Sequence, residues 1–393
     1  MLEAQGETVA ARKEAQGLPS YFAHEPVILA LLSLTAVLSF LAVTGLSRIY
    51  HAQQQFLGNR WFARGTADLK ARRFDAAVAE FRNALLYARD NYSYQLDLAE
   101  ALLGLNRTTE AYSYLLSLWE RQPENGSVNL ELARIFARNG DRDNAIRYYH
   151  NAIYAIWNGD PDVKRRNARL ELIEFLLKEN AKPQAQAELV ALATDLPDDP
   201  ALLARVGDLF AQAEEYERAL TEYRHSLKLN PQNPAVMAAA GGAAFELGRY
   251  KLAKTYLESA VSADPNDAQS ADRLKTAALV LQMDPFRRQI SATERGRMVI
   301  EAFNTAGKRL KSCATADGSK VATPDTNQQP DLLTRWNEMK PKITERGIRR
   351  NPNLVEQAMD LVFTIERQTN AECGPPTGTD LALLLISNLH EGS

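Results

Sequence analysis

Six alanines, Ala77, Ala111, Ala145, Ala185, Ala219 and Ala253, recur at intervals of 34, 34, 40, 34 and 34 residues. A period of this length marks one supersecondary unit copied along the chain. Each copy is too small to bury its own apolar face, so the copies must stack. Apolar residues fall at helical spacing and alternation of the strand type is almost absent, so the class is all-α. At 393 residues the chain is long enough for two or three domains.

If each alanine is placed at position 20 of its unit, other columns fall into line. Position 8 holds Gly65, Ala99, Ala133, Ile173, Gly207 and Gly241, and position 24 holds Phe81, Leu115, Tyr149, Leu189, Tyr223 and Leu257. Position 27 holds Ala84, Leu118, Ala152, Leu192, Ser226 and Ala260. Small side chains at 8 and 20 let two helices approach closely, and the bulky residue at 24 fills the space beside them. Proline at position 32, as Pro123, Pro197, Pro231 and Pro265, lacks a donor and ends the second helix. Gly140-Asp141 and Gly248-Arg249 are turn signals between paired helices.

Over roughly residues 58–267 these columns resemble the tetratricopeptide repeat, a 34-residue helical hairpin. The resemblance implies an α-solenoid of about six hairpins that binds protein partners in a groove lined by its first helices. Carried over by position, the lining is Phe62, Leu69, Lys70, Leu96, Glu100, Leu103, Leu130, Arg134, Arg138, Leu170, Glu174, Leu177 and Lys178. Asp208, Gln212, Phe245 and Glu246 follow in later repeats. Leucines alternating with charges of both signs suit a helical or extended peptide. Ser127 and Glu131 stand where the carboxylate-clamp version of the fold wants Lys and Arg, which disfavours binding of a chaperone tail.

Several departures set further expectations. Repeat one has Arg64 and Asp68 at the usual Leu and Tyr sites and no proline near residue 89, so its second helix is expected to run on or bend. The 40-residue interval implies a six-residue insertion around 157–164, with Asn158-Gly159-Asp160-Pro161 as a loop. Repeat four, with Ile173 at a small position and Pro183 at its turn, is the least regular unit.

Residues 27–46 carry no charge and match the length of a helix crossing the hydrocarbon core. Tyr21, Phe22 and Tyr50 stand at the edges, where amphipathic aromatics are favoured. A cleaved signal peptide is the rival, but its leader would be long and hold Glu3, Glu7, Glu14 and Glu25. A buried core helix would show a polar stripe. The organisation expected is a flexible tail at 1–25, a transmembrane helix at 26–47, a solenoid with a capping helix at 58–284, and a small C-terminal helical module at 285–393. Residues 268–283 read as the closing helix of the stack. The module is expected to hold helices at 291–313, 331–340, 353–370 and 379–389, with a disordered loop at 314–330.

Orientation has two opposed signals. Positive charges favour the side after the span, with Arg48, Arg60 and Arg64 against Arg12 and Lys13, as the cytoplasmic side. The only two cysteines, Cys313 and Cys373, both lie in the C-terminal module, as an exported domain with one disulfide would have them. Two unrelated buried thiols are the alternative. The balance favours a single-pass protein of the bacterial inner membrane with an extracytoplasmic body.

The formal charge is −3 for the whole chain, yet residues 285–351 hold fourteen Lys/Arg against seven Asp/Glu. Such a cluster suits anionic lipid, nucleic acid, an acidic protein, or simply a solvated face. No nucleic-acid-reading motif accompanies it. His24, His51, His150, His225 and His390 are scattered without metal-ligand spacing, and phosphate-loop and nucleophile-elbow motifs are missing. No catalytic residue, metal or cofactor is expected. The function expected is a non-catalytic, membrane-anchored scaffold for protein interaction or assembly in the cell envelope. The alternatives are a C-terminal module that binds a ligand or acts as an enzyme, positioned by the repeats, and an adaptor facing the cytoplasm.

Overall fold

The computed structural model describes residues 25–315 and 331–390. The expected tail, its flanking Tyr21 and Phe22, Arg12 and Lys13, and nearly all of the 314–330 loop lie outside the described residues. The chain divides into two compact units, 1–165 and 166–393, and each is taken by itself.

In the first unit, α1 (Glu25–Lys70) is one unbroken helix of 46 residues. Its apolar part is bare: Leu29 is 63% exposed and Phe40 71%. Ser and Thr do not break it, because Thr35 and Thr44 donate their hydroxyls to the carbonyls of Leu32 and Phe40. Its C-terminal part is the first helix of repeat one and pairs with α2 (Phe74–Tyr87). The next hairpins are α3 (Tyr92–Gly104) with α4 (Thr108–Arg121), and α5 (Gly126–Arg138) with α6 (Arg142–Tyr154).

The second unit holds most of α7 (Pro161–Lys178), which crosses the division, and then α8 (Lys182–Ala193). The hairpins α9 (Pro200–Gln212) with α10 (Tyr216–Leu229), and α11 (Pro234–Glu246) with α12 (Tyr250–Ala263), follow. After α13 (Ala268–Met283) come α14 (Ala292–Ala314), α15 (Leu332–Met339), α16 (Glu345–Arg350), α17 (Leu354–Cys373) and α18 (Gly378–His390).

All six position-20 alanines are fully buried, and every position-24 residue is at most 4% exposed. The reason position 8 is small is steric. A Cβ on Gly65 would stand 2.6 Å from the Phe81 ring, on Gly207 2.6 Å from Tyr223, and on Gly241 2.6 Å from Leu257. Each glycine thus meets position 24 of its own hairpin.

Two further columns emerge from the backbone. Position 15 is left-handed in all six repeats: Arg72, Asn106, Gly140, Asn180, Glu214 and Gly248 have φ between 54 and 74°. Only two are glycine, which is why the glycine turn signals alone revealed two of the six. Position 34 is an Asn or Asp whose side chain accepts from the backbone near the start of the next first helix, at Asn91, Asn125, Asp199, Asn233 and Asp267.

Four expectations are corrected. Helix α2 does not run on without proline; it stops at Tyr87, and at 14 residues it equals α4, whose repeat has Pro123. The Ala88 amide closes on the Ala84 carbonyl, and Asn91 caps the next helix, so capping ends it unaided. The insertion loop is confined to 155–160, because Pro161 opens α7 instead of lying in the loop. The Ile156 amide donates to Glu124 O and its carbonyl accepts from the Gly126 amide, both at 3.0 Å, while Trp157 Nε1 donates to Ala152 O. Pro183 sits in the first turn of α8, not at the turn before it, where Asn180 is left-handed. Finally, α13 does not close the stack with a polar face. Ala277, Val280 and Met283 share one buried core with Val299, Phe303, Ile365 and Ile386, and α18 packs directly on α13. No break in the core falls at residue 284.

The C-terminal helices α14, α15, α17 and α18 stand near the four expected ranges. Ser291 caps α14, accepting from Glu294 N–H. Helix α16 escaped notice because its six residues bury a single apolar side chain, Ile348. Trp336 stacks on Phe303 at 5.6 Å, and its Nε1 donates to the Phe303 carbonyl at 3.1 Å. Gly307 leaves room for that ring. Cys313 of α14 and Cys373 of α17 form a disulfide with Cα atoms 5.8 Å apart.

Candidate protein-binding faces of the repeats

In the first unit the inherited groove positions divide by burial. Lys70, Glu100 and Arg138 are exposed, whereas Leu69, Leu96 and Arg134 are half-buried. Leu103 and Leu130, at 4% and 9% exposure, belong to the core and cannot line an open groove. Phe62 also turns inward, stacking on Tyr94 at 4.8 Å and tilting against Phe81 at 5.7 Å. Tyr94 in turn donates its hydroxyl to Asn59 Oδ1 at 2.6 Å, so this aromatic group seals the seam between α1 and α3.

Two acids beside these positions are themselves drawn inward. Asp97 on α3 accepts a hydrogen bond from the Thr66 hydroxyl of α1 at 3.4 Å. Burial, with Glu100 one turn on, pushes the Asp97 carboxyl up to about 6, while the Thr66 bond pulls it down. On α5, Glu131 is 8% exposed and pairs with Arg134. Asp97 and Glu131 both occupy position 6 and are 34 residues apart. That recurrence was visible in the sequence, but the family positions drew attention to 2, 5, 9 and 12–13 instead. The buried Asn129 donates to the Pro123 and Asn125 carbonyls at 2.7 and 2.8 Å, fixing the turn that starts α5.

In the second unit Leu170 is 2% exposed and is a core residue. Glu174 of α7 pairs with Arg205 of α9, Leu177 is half-buried and Lys178 is exposed. Asp208 accepts the Tyr223 hydroxyl at 2.7 Å, and Gln212 is exposed. Phe245 packs edge-on to Tyr250 at 5.3 Å, and Glu246 lies 3.6 Å from Arg273 of α13. The structure therefore brings together Glu174 with Arg205 and Glu246 with Arg273, and assigns Leu103, Leu130 and Leu170 to packing. His150 stacks on Tyr154 and His225 lies 3.1 Å from Asp198, so both are engaged at their surfaces.

The sequence pattern described as tetratricopeptide repeat matches residues 68–135 and 210–278. No curated protein matches the sequence. Among solved structures, YrrB, titled a TPR protein with an unusual peptide-binding site, is 14% identical, with 49% of this chain and 95% of that one covered and a TM-score of 0.40. The C-terminal part of a TPR repeat-containing protein from Cytophaga hutchinsonii is 16% identical over 61% and 94%, at a TM-score of 0.46. PilW, titled a type IV pilus biogenesis factor, is 16% identical over 56% and 98%, at 0.41.

Proposed function

We infer, from the premise that this chain is a tetratricopeptide-repeat protein, that it is a non-catalytic scaffold held in a membrane by residues 26–47. It gathers protein partners on the first-helix faces of its repeats at 58–284. The observation that carries this reading is the charge left over by folding: Lys70, Glu100 and Arg138 are exposed on those faces and make no ion pair among the described residues. Charges of both signs held on a rigid helical frame favour one register of a docked peptide over others.

Anchoring is supported by the bare apolar stretch of α1, which is long enough to cross a bilayer and finds no cover among the described residues. A cleaved signal sequence passes the same test, and the size of the protein recovered from membranes decides between them. An extracytoplasmic body in a bacterial envelope is supported by the Cys313–Cys373 disulfide, since such bonds persist in oxidising compartments.

Crosslinking in native membranes followed by mass spectrometry tests the scaffold. We expect one or a few protein partners joined to the first helices, and their loss on the combined change Lys70→Glu, Glu100→Lys and Arg138→Glu. Unchanged crosslinks in that variant refute the assignment of the face. Thiol labelling of intact cells tests sidedness: cysteines that react only after reduction support export, and free thiols without reduction favour the cytoplasmic adaptor.

A further inference from the structure

The last helices of the second unit bury an acid that folding leaves without a donor. Glu366 of α17 is fully buried, and neither carboxyl oxygen accepts a hydrogen bond among the described residues. Arg309 of α14 stands 3.5 Å from it. That guanidinium is already committed: Nε donates to the Thr369 hydroxyl at 2.8 Å and Nη2 to the Gly374 carbonyl at 2.7 Å. Asp380, in the first turn of α18, brings a second carboxyl whose Oδ1 is also buried without a partner. Arg309 from α14 and Asp380 from α18 are the charged groups that act on Glu366. Burial first, and the Asp380 charge second, push the Glu366 carboxyl up to about 8 against the pull of Arg309. An anion at Glu366 has neither a donor nor water to stabilise it, so the closed structure favours the neutral acid.

Helices α14 and α18 both pack on α17, but they are held to it differently. Helix α14 is fastened twice near the end of α17, by the Cys313–Cys373 bond and by the Arg309 bonds to Thr369 and Gly374. Helix α18 is joined to the unit through a short linker, in which Gly374 and Gly378 are left-handed at φ 86° and 57° on either side of Pro375-Pro376. Ala382, Leu383 and Ile386 hold α18 by packing. Ser387 accepts from Arg367 at 3.3 Å, and His390 lies 3.4 Å from Asp284 at the end of α13. Water therefore reaches Glu366 more easily by lifting α18 than by parting α14 from α17.

We propose that α18 is a proton-controlled strap, closed over α13 and α17 while Glu366 keeps its proton and lifted about residues 374–378 when Glu366 and Asp380 are both charged. Opening uncovers the surface of α13 on which α18 rests. In the open strap Glu366 meets water and returns to its ordinary value of 4.5, so opening releases a proton between that pH and about 8. The opening constant then rises by up to about tenfold per pH unit inside this window and levels off above it. The strap belongs to the second unit and does not depend on what the repeat faces bind.

The test is hydrogen exchange of the full chain in an uncharged detergent, read by mass spectrometry between pH of about 5.5 and about 7.5 and corrected for the chemical exchange rate. Opening of α18 should rise at least about tenfold across that range, while peptides of α14 change by less than about threefold. Glu366→Gln is neutral at every pH and should cut the α18 rise to less than about threefold. Asp380→Asn removes the neighbouring charge, brings the Glu366 carboxyl down, and should leave a smaller rise than in the parent protein. His390→Asn removes the ionisable contact at the other end of α18 and should leave the rise as it is in the parent. An α18 rise that is absent, that α14 shares in full, or that disappears in His390→Asn overturns the proposal. So does a rise that survives either acid variant undiminished.

Discussion

Substituting alanine at two helical glycines of the second unit should move stability in opposite directions. In α9, the Cβ of Gly207→Ala would stand 2.6 Å from Cε1 and 2.8 Å from Cδ1 of Tyr223. That ring cannot retreat: it is 2% exposed, and its hydroxyl is tied to Asp208 at 2.7 Å. Overpacking of this kind costs about 1–3 kcal/mol, while replacing glycine by alanine in a helix returns about 1 kcal/mol. The net expectation is a loss of up to about 2 kcal/mol, read as a fall in melting temperature of roughly 2–4 °C per kcal/mol. In α14, the Cβ of Gly296→Ala meets only Ile348 Cγ2 at 3.7 Å, an ordinary contact. That variant keeps the helix-propensity gain and should melt about 2–4 °C higher. Thermal unfolding of the full chain in detergent, followed by far-ultraviolet circular dichroism, gives both signs. If both variants shift the same way, the claim that position 8 is small for steric reasons is wrong.

Three other outcomes are expected. Arg72 is exposed and left-handed at φ 58°, so Arg72→Gly should stabilise the protein by about 0.5–1 kcal/mol in urea unfolding, where most exposed substitutions do nothing. Glu366 of α17 is fully buried, and burial, with Asp380 of α18 beside it, pushes its carboxyl up to about 8 against the pull of Arg309 on α14. The folded state therefore keeps a proton that the unfolded state releases. Stability from this group is fully present below pH of about 4.5 and is lost as pH rises to about 8. Glu366→Gln should flatten that decline relative to the parent protein in pH-dependent melts. Breaking the Cys313–Cys373 bridge, by reduction or by serine at both positions, frees a 60-residue loop and should lower stability by about 4 kcal/mol, seen as an earlier urea midpoint.

The parts of the fold that were legible beforehand are contacts that repeat. Gly207 meets Tyr223, Gly65 meets Phe81 and Gly241 meets Leu257, each across 16 residues of one hairpin. A contact made at a fixed short separation, copied every 34 residues, leaves columns in the sequence, and columns can be read without coordinates. Even there the reading was incomplete, because a left-handed turn held by Arg72 or Glu214 carries no chemical label, whereas Gly140 and Gly248 do.

The candidate faces were less legible. Leucines at the groove positions carry the same letter whether they lie open or closed, and neighbouring side chains decide which. Leu103, Leu130 and Leu170 are sealed by packing, whereas Leu69, Leu96 and Leu177 stay half-buried.

Taken alone, then, the order of residues determined an all-helical chain of stacked hairpins with one span-length apolar helix at its start, since period and hydropathy are local properties. Only the tertiary structure decided that α18 returns to cover α13 and that Glu366, Asp380 and Arg309 share one buried corner. It alone decided between a bridge and two separate thiols, joining Cys313 to Cys373. These contacts occur once, between segments tens to over a hundred residues apart. A pairing made once leaves no period in the sequence, and the burial that enforces it exists only after the chain has closed on itself.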